Sequence, residues 1–354
     1  MFDKISKLPK WLTIGLVLPL LVLNGWLLIL VFEYFQSLIT IFATATLLSF
    51  ILDYPVRFLE QKGIKRAIAI SIVLLTGILL LSIIGVTVIP ILIDQLNGLL
   101  ERLPSYVASG SEQAKVLEAW ADERNFPVSL SSIVTDALGR ISYQLQQLSG
   151  QILGSVFSVL GSLVDLLLTI VLTFYLLLHG GELWEDVFQI FPDETADKIR
   201  TSLKQTFNNY FGGQLTVASV MGVTITITFF IIQVPFALLF GLVVGIMALF
   251  PFGAGLSISL VSFLMALKSI WLGLRVLAIA FVVEQIVESV IAPRLLGEFT
   301  GLNPALVLVS LLTGAQLGGF LGLVLAVPVA SFIRSLWIIF KPKPKHAELS
   351  VSTQ

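Results

Sequence analysis

The sequence predicts an all-α, polytopic membrane protein with about eight transmembrane helices. Its residues are 56% hydrophobic and only 12% charged, whereas soluble domains carry roughly 25% charged residues. The hydrophobic residues form separate runs, most of them near the ~20 residues that a helix needs to cross a bilayer. Helices are favoured because a segment inside the membrane must satisfy its own backbone hydrogen bonds.

The first three predicted spans cover residues 11–31, 35–52 and 67–92. Lysines precede the first span, as in a signal peptide, but its apolar run is too long and no A-x-A cleavage pattern follows it. We therefore interpret residues 11–31 as an uncleaved helix. Residues 1–92 form the predicted N-terminal transmembrane unit, which contains a basic link at 53–66.

A polar segment at 93–150 follows the third span, and it is much longer than an ordinary loop. Apolar residues recur in it at heptad spacing, at Val134, Leu138, Ile141, Leu145, Leu148 and Ile152. This pattern predicts a helical extracytoplasmic segment. The seam fits either an oligomer contact or packing within the segment, and its short length favours the second.

The rest of the chain divides into a fourth span with a cytoplasmic amphipathic helix (151–209), a C-terminal transport core (210–340) and a cytoplasmic tail (341–354). The predicted helical runs are 152–178, 182–209, 211–232, 235–267, 272–292 and 304–339. Glycine and proline interrupt the runs 235–267 and 304–339, so both fit either full spans or re-entrant hairpins.

Lysine and arginine set the predicted orientation. Basic residues collect at the N-terminus, in the 53–66 link and in the tail, whereas the 93–150 segment is acidic. We therefore expect both termini in the cytoplasm and the 93–150 segment outside. The 182–209 helix is acid-rich although it is expected in the cytoplasm, but acidic residues count little in this rule.

The sequence lacks the motifs of common enzymes. It has no cysteine and only two histidines, and it contains no H-E-x-x-H, no G-x-x-x-x-G-K-[ST] and no G-x-S-x-G pattern. We therefore predict no catalysis, no metal, no cofactor and no ATP hydrolysis by this chain. Its net charge of -1 argues against a nucleic-acid partner.

The run from 235 to 267 is interrupted by Phe250-Pro251-Phe252-Gly253-Ala254-Gly255. Because proline removes a backbone donor, this sequence predicts a broken helix. Opened backbone at membrane depth lies in protein or lines a cavity, and broken helices hold substrates in secondary transporters. The predicted path therefore includes Pro251, Phe252, Gly253 and Gly255. The alternative is a kink that only shapes packing.

The final run is interrupted at Gly314, Gly318 and Gly322, which recur at every fourth residue, and Gly241 and Gly245 form a shorter stripe. Small residues at this spacing let two helices approach closely. These five glycines are therefore predicted at helix contacts. A pair of interrupted segments also indicates a binding site between internal repeats, with pure helix packing as the alternative.

Glu284, Gln285 and Glu288 lie in an otherwise apolar run. A carboxylate at membrane depth is costly and faces a cavity or a partner, where it can carry a proton near neutral pH. We predict that all three belong to a substrate or ion path, although Glu288 lies near the end of the run, where plain solvation is the alternative. Arg275 and Arg294 are candidate counter-charges, or they snorkel to the membrane surface.

Gln214 and Gln316 are further polar candidates for the path. Several motifs around these residues resemble those of one family. They are Tyr210 to Leu215 (YFGGQL), Val234 to Gly241 (VPFALLFG), Phe250 to Ala254 (FPFGA), and Glu284-Gln285-Ile286 with Pro293, Gly297 and Leu302-Asn303-Pro304. They are similar to the Y-x-x-G-Q, G-V-P-Y-A-L-L-L-G, I-P-Y-I-G-P and Q-x-I…P-x-x-x-G…L-H-P motifs of the autoinducer-2 exporter family, which includes PerM-like permeases.

The resemblance covers nearly the whole chain and implies an oligomeric permease of the bacterial inner membrane. It adds Pro293, Asn303 and Pro304 to the path. Members are associated with export of an autoinducer-2 signal precursor or with exchange of Na⁺ for H⁺. The implied partners are the lipid bilayer, a small polar solute, Na⁺ or H⁺, and further copies of the chain.

Three residues depart from the family pattern. Ala254 stands in place of proline, Asn303 in place of histidine, and Glu288 in place of glycine or aspartate. We expect a secondary transporter that works by alternating access. The alternatives are a passive channel and a membrane scaffold or biogenesis factor without transport activity.

Overall fold

The computed structural model describes residues 19–122 (except 21, 28, 29 and 32), 139, 143, 147, 163–188, 192–296 and 302–340. All regular structure in these residues is helical. Most of the first predicted span, the apolar residues of the heptad seam, and the tail at 341–354 lie outside the described residues. The predictions about them therefore stay predictions.

The helices are α1 Gln36–Gln61, α2 Arg66–Asp122, α3 Leu163–Phe188, α4 Asp193–Ile231, α5 Ala237–Met247, α6 Gly253–Lys268, α7 Ile270–Ile286, α8 Ala292–Leu296 and α9 Pro304–Phe340. A π-helical turn, Val287–Ile291, joins α7 to α8. Within the described residues, six helical stretches are long and apolar enough to cross a membrane, and α5 and α6 are shorter apolar helices. The predicted all-α, polytopic fold is confirmed.

Two helices are longer than the sequence predicts. α2 continues through Pro90 and Pro104 to Asp122, so the helix does not end at residue 92 with the predicted third span. A proline costs the helix one hydrogen bond but does not always end it. α4 joins most of the amphipathic segment to the fifth span without a break. The divisions predicted at 92 and 209 thus fall inside continuous helices, and their meaning as functional units stays a prediction.

α2 binds the ends of the short helices through two glutamines. The side-chain oxygen of Gln95 accepts a hydrogen bond from the backbone N–H of Leu239 (2.9 Å), in the first turn of α5. The side chain of Gln113 donates to the carbonyl of Leu267 (3.0 Å) and accepts from the N–H of Ile270 (2.9 Å). These bonds satisfy backbone groups that helix ends leave unpaired.

α1, α2 and α3 pack together around a small apolar cluster, Val56, Ala69, Ile70, Val73 and Leu177. The guanidinium of Arg66 donates to the carbonyl of Leu177 (2.7 Å) and pairs with Glu60 (3.2 Å). Arg66 therefore ties the start of α2 to both neighbouring helices.

The larger core is built from α2 and α4–α7. α4 and α5 run antiparallel and touch through their backbones, because a Cβ on Gly245 would lie 2.7 Å from the Cα of Gly222, and a Cβ on Gly241 would lie 2.7 Å from the Cα of Thr226. α6 and α7 approach equally closely, since a Cβ on Gly273 would lie 2.6 Å from the Cα of Ala266. Small residues thus join these helices into two tight pairs, α4–α5 and α6–α7.

α9 folds back on itself. Gly318 (φ -132°, ψ 15°) and Gly319 (φ 55°, ψ -134°) leave the helical conformation. A Cβ on Gly322 would lie 3.5 Å from the Cα of Gly314, whereas eight residues of straight helix span about 12 Å. α9 is therefore a helical hairpin. Its first arm, 304–317, is about 21 Å long, shorter than the ~30 Å hydrocarbon core, which favours the re-entrant interpretation.

Candidate functional site

A cavity of about 390 Å³ lies where α4, the α5–α6 break, the π-helical turn and α9 meet. We call it the break cavity. Its lining residues are Tyr210, Gln214, Val217, Met221, Ala248, Phe250, Pro251, Phe252, Ala254, Glu288, Ala292, Leu302, Pro304, Val307 and Val327. Its volume falls in the range of roughly 300–1,000 Å³ that small-molecule sites occupy. Five residues of the predicted path line it, namely Gln214, Pro251, Phe252, Glu288 and Pro304.

The wall at the α5–α6 break is a tight turn at 248–252. α5 ends at Met247 and α6 begins at Gly253, which confirms the predicted broken helix. The N–H of Phe250 donates to Met247 (3.0 Å), and the N–H of Gly253 donates to Phe250 (3.0 Å). Phe252 has a φ of 67°, a left-handed conformation that costs a non-glycine residue about 1–2 kcal/mol. A Cβ on Gly253 would lie 2.8 Å from the carbonyl carbon of Met247, so the turn requires glycine there.

Gln214 completes this turn from the neighbouring helix. Its side-chain nitrogen donates a hydrogen bond to the carbonyl of Ala248 (2.6 Å). Ala248 directly follows the last residue of α5, where carbonyls lack partners within the helix. Gln214 therefore satisfies an opened carbonyl at the cavity wall and links α4 to the break.

Glu284 lies behind the cavity, against the start of α6. It is 7% exposed, and a Cβ on Gly255 would lie 3.1 Å from its Oε1. The missing side chain of Gly255 thus leaves the space that this carboxyl group occupies. The positive end of the α6 dipole stabilises a negative charge at this position.

The π-helical turn contains Glu288 and begins three residues after Glu284. π-helical turns are rare and occur frequently at functional sites. Glu288 lines the cavity, and it follows Glu284 by four residues. Among the described lining residues, Glu288 carries the one formal charge. The site is therefore acidic.

The two arginines predicted as counter-charges do not fill that role in the described part of the chain. Arg275 and Arg294 are exposed, and the ion pairs among the described residues join other groups. This favours the alternative, in which their side chains extend to the membrane surface.

The two interrupted segments touch beside the cavity. The rings of Phe250 and Phe320 pack edge to face with centroids 5.7 Å apart, and Phe320 directly follows the Gly318–Gly319 turn. Val307 and Val327, from the two arms of α9, both line the cavity. The breaks in α5–α6 and in α9 thus form one structural unit.

Besides Gly253, Gly255 and Glu284, which lie behind the cavity wall, four predicted path residues are absent from the cavity lining. Gln285, Pro293 and Gln316 are exposed, and the structure does not bring them to the cavity. Asn303 caps α9, because its side-chain oxygen accepts from the N–H of Ala305 (3.0 Å). Its place beside Pro304 keeps it next to the cavity without lining it. A role of these residues in transport stays a prediction.

Apolar residues complete the lining, and sequence reasoning did not identify most of them as site residues. Met221, Leu302, Val307 and Val327 line the cavity, yet nothing in the sequence distinguishes them from lipid-facing positions. Tyr210 begins the segment that resembles the Y-x-x-G-Q motif, and its position there is the sequence signal for this residue.

Comparison with protein families matches residues 16–339 to the family described as "AI-2E family transporter". The chain belongs to the AI-2E transporter family. The resemblance to autoinducer-2 exporters and PerM-like permeases is therefore confirmed.

Individual relatives agree with this assignment. The chain is 43% identical over 328 residues to "Putative transport protein sll0060" of Synechocystis sp., covering 92% of this chain and 95% of that protein. It is 42% identical over 349 residues to "Putative transport protein sll0063" of the same organism, covering 97% and 88%. It is 23% identical over 328 residues to "Putative permease PerM" of Escherichia coli, covering 86% and 87%. The AI-2E family and these relatives support a membrane transport role for this multi-pass protein.

Proposed function

We propose that this AI-2E family protein is a secondary transporter of a small polar solute, coupled to H⁺ or Na⁺ and working by alternating access. The observation that carries the proposal is the break cavity, which joins opened backbone at 248–252 to the Glu288 turn. We further propose that the chain has no enzymatic activity and acts as a homo-oligomer in a bacterial inner membrane, with both termini in the cytoplasm.

The chemistry of the break cavity favours a cation or an uncharged polar solute. Glu288 supplies negative charge, while Gln214 and Tyr210 supply polar groups to an otherwise apolar wall. No lysine or arginine lies among the described lining residues. An anion would therefore be repelled, whereas Na⁺, H⁺ or a small hydroxylated solute such as an autoinducer-2-like signal fits the site.

Glu284 and Glu288 are the proposed coupling groups. They lie four residues apart on the same helical segment, where side chains are neighbours, so binding of a proton or cation by either relieves repulsion at the start of α6. Because Glu284 packs against Gly255, its charge state acts on α6 directly.

The proposed movement takes place between the two tight helix pairs. The 248–252 turn connects them, and its left-handed Phe252 marks a backbone that can change conformation. One pair then rocks against the other and opens the break cavity to each side in turn, as in other transporters with broken helices.

The test is proton and Na⁺ exchange in proteoliposomes. A Na⁺ gradient is imposed and the internal pH is followed with a trapped dye, for the wild type, Glu284→Gln, and the control Glu101→Gln, which removes an exposed carboxylate from α2. We expect Glu284→Gln to abolish pH-dependent flux and the control to retain it. Unchanged flux in Glu284→Gln rules out the coupling role of this residue.

The alternatives give different results in the same preparation. A channel passes solute without saturation and does not need Glu284. A scaffold gives no flux with Na⁺, protons or autoinducer-2, and its melting temperature is unaffected by cations and small polar metabolites. Saturable flux that depends on Glu284 is the outcome that separates a coupled transporter from both.

A further inference from the structure

A second cavity, of about 520 Å³, lies between α1, α3 and the first half of α4, at the start of α2. It shares no lining residue with the break cavity. Four basic residues from three helices line it, Arg57, Arg66, Arg200 and Lys204. We call it the basic cavity.

The basic cavity holds more positive than negative charge. Its acidic lining residues are Asp53 and Glu182, and Asp53 is shared by Arg57 (2.7 Å) and Arg66 (3.7 Å). Glu60, which does not line the cavity, also pairs with Arg66 (3.2 Å). Asp53 and Glu60 therefore compensate positive charge on the α1–α2 side of the cavity.

Lys204 is the least compensated of the four. Partial burial and the charges of Arg57, Arg200 and Arg66 act against its ammonium group, and Asp53 offsets them only in part. Lys204 forms no ion pair within the described part of the chain. Like charges crowded beside low-dielectric helices cost energy, which a bound anion would remove.

Apart from Thr46 and Ser49, the uncharged residues that line the basic cavity are apolar residues and glycines. Phe42, Phe50, Leu176 and Leu203 line it. In α1, Phe42 lies eleven residues before Asp53, in the apolar part of the helix, whereas in α3 Leu176 precedes Leu177, whose carbonyl accepts from Arg66. Charged groups and apolar side chains thus meet in one cavity, at the level where α1 and α3 change from apolar to polar sequence. This is the geometry of a lipid headgroup at a membrane surface.

We propose that the basic cavity binds the phosphate group of an anionic phospholipid, with Arg57, Arg200 and Lys204 around the phosphate and an acyl chain along Phe42 and Leu176. Arginine and lysine are the side chains that bind phosphate through charge-assisted hydrogen bonds, and basic pockets between transmembrane helices bind cardiolipin-type headgroups. The same cations bind free phosphate, so the two sources are separated by experiment. The proposal does not depend on the transport mechanism.

The test measures binding to the purified full-length protein in detergent by native mass spectrometry. The lipid probes are cardiolipin, phosphatidylglycerol and phosphatidylcholine, and a second arm follows the melting temperature with inorganic phosphate. The variant is Arg57→Gln with Lys204→Gln. The control is Lys62→Gln with Lys65→Gln, which removes two exposed charges from the same end of the molecule without altering the cavity lining.

We expect the wild type and the control to prefer the two anionic lipids over phosphatidylcholine, and the double variant to bind them roughly tenfold or more weakly. Stabilisation by inorganic phosphate that is lost in the variant, without lipid preference, assigns the site to a soluble phosphate compound. If wild type, variant and control bind all probes equally, the proposal is wrong. Should the double variant fold poorly, Lys204→Gln alone gives the same comparison, because Lys204 holds no ion pair in the described structure.

Discussion

The α5–α6 segment and α9 are both interrupted by a turn, but different residues form the two turns. The α5–α6 break uses an aromatic residue in a left-handed conformation, Phe252, and a side chain from another helix, Gln214, which satisfies the carbonyl of Ala248. The α9 break uses two adjacent glycines, Gly318 and Gly319, with open space around both. Most residues of the 248–252 turn line the break cavity. The α9 turn lies beside the cavity, where Phe320 packs against Phe250, and the two arms of α9 contribute Val307 and Val327 to the lining.

The difference shows where the fold retains strain. A glycine pair forms a turn at no steric cost, and α9 uses this solution where the turn only reverses the chain. Strain of about 1–2 kcal/mol at Phe252 persists at the turn that borders the break cavity, and strained backbone clusters at functional sites.

The largest effect is expected for Gly253→Ala. The added Cβ would meet the backbone of Met247, 2.8 Å from its carbonyl carbon, and a backbone cannot move aside as a flexible side chain can. We expect a loss of on the order of 4 kcal/mol in the free energy of unfolding, or failure to fold. The measurement is the melting temperature of the purified protein in detergent.

Its control is Gly212→Ala, a helical glycine in α4 with open space around its Cα. Alanine favours helix over glycine by up to about 1 kcal/mol, so this variant is expected to melt at or above the wild-type temperature. Equal melting of Gly253→Ala and Gly212→Ala would show that the α5–α6 turn relaxes freely.

A smaller effect is expected for Gly319→Ala. Gly319 has a φ of 55° and a ψ of -134°, a conformation that only glycine adopts readily, so alanine there costs about 1–3 kcal/mol. Gly318→Ala is the matched control, because its φ of -132° suits any residue and its surroundings are open. A lower melting temperature for Gly318→Ala than for Gly319→Ala contradicts the conformation described for this turn.

The smallest effect on stability is expected for Gln214→Leu. This change removes the donor to the carbonyl of Ala248, but the carbonyl borders the break cavity, where water can replace the amide, so the cost is about 1 kcal/mol. We expect the variant to remain folded but to show a clearly lower solute flux in proteoliposomes than the wild type. The control is Gln205→Leu, at an exposed position of the same helix outside the cavity lining and the predicted path, and equal flux in the two variants would remove Gln214 from the proposed path.

The sequence predicted the site best where polar or helix-breaking residues interrupt apolar runs. Pro251, Gln214 and Glu288 are out of place in such runs, and all three line the break cavity. Leu302 and Val327 could not be found in this way, because an apolar side chain facing a cavity looks the same in sequence as one facing lipid.

The sequence was less informative about which segments are continuous. The prolines in α2 suggest an end, but the helix passes through them. The glycines of the final run suggest a stripe on one helix, whereas Gly314 and Gly322 face each other across a turn. Residue type fixes how closely two backbones approach, and tertiary packing decides which backbone is the neighbour.

The length of α2 has a mechanical consequence. Gln95 forms a hydrogen bond to the start of α5, and Gln113 forms hydrogen bonds to the α6–α7 corner. The two glutamines lie about 27 Å apart along the same continuous helix. When the short helices shift, either these hydrogen bonds break or α2 moves together with the short helices. Because α2 is about 85 Å long and the hydrocarbon core only about 30 Å thick, a movement of α2 inside the bilayer would also displace its part outside, where an optical label would register it.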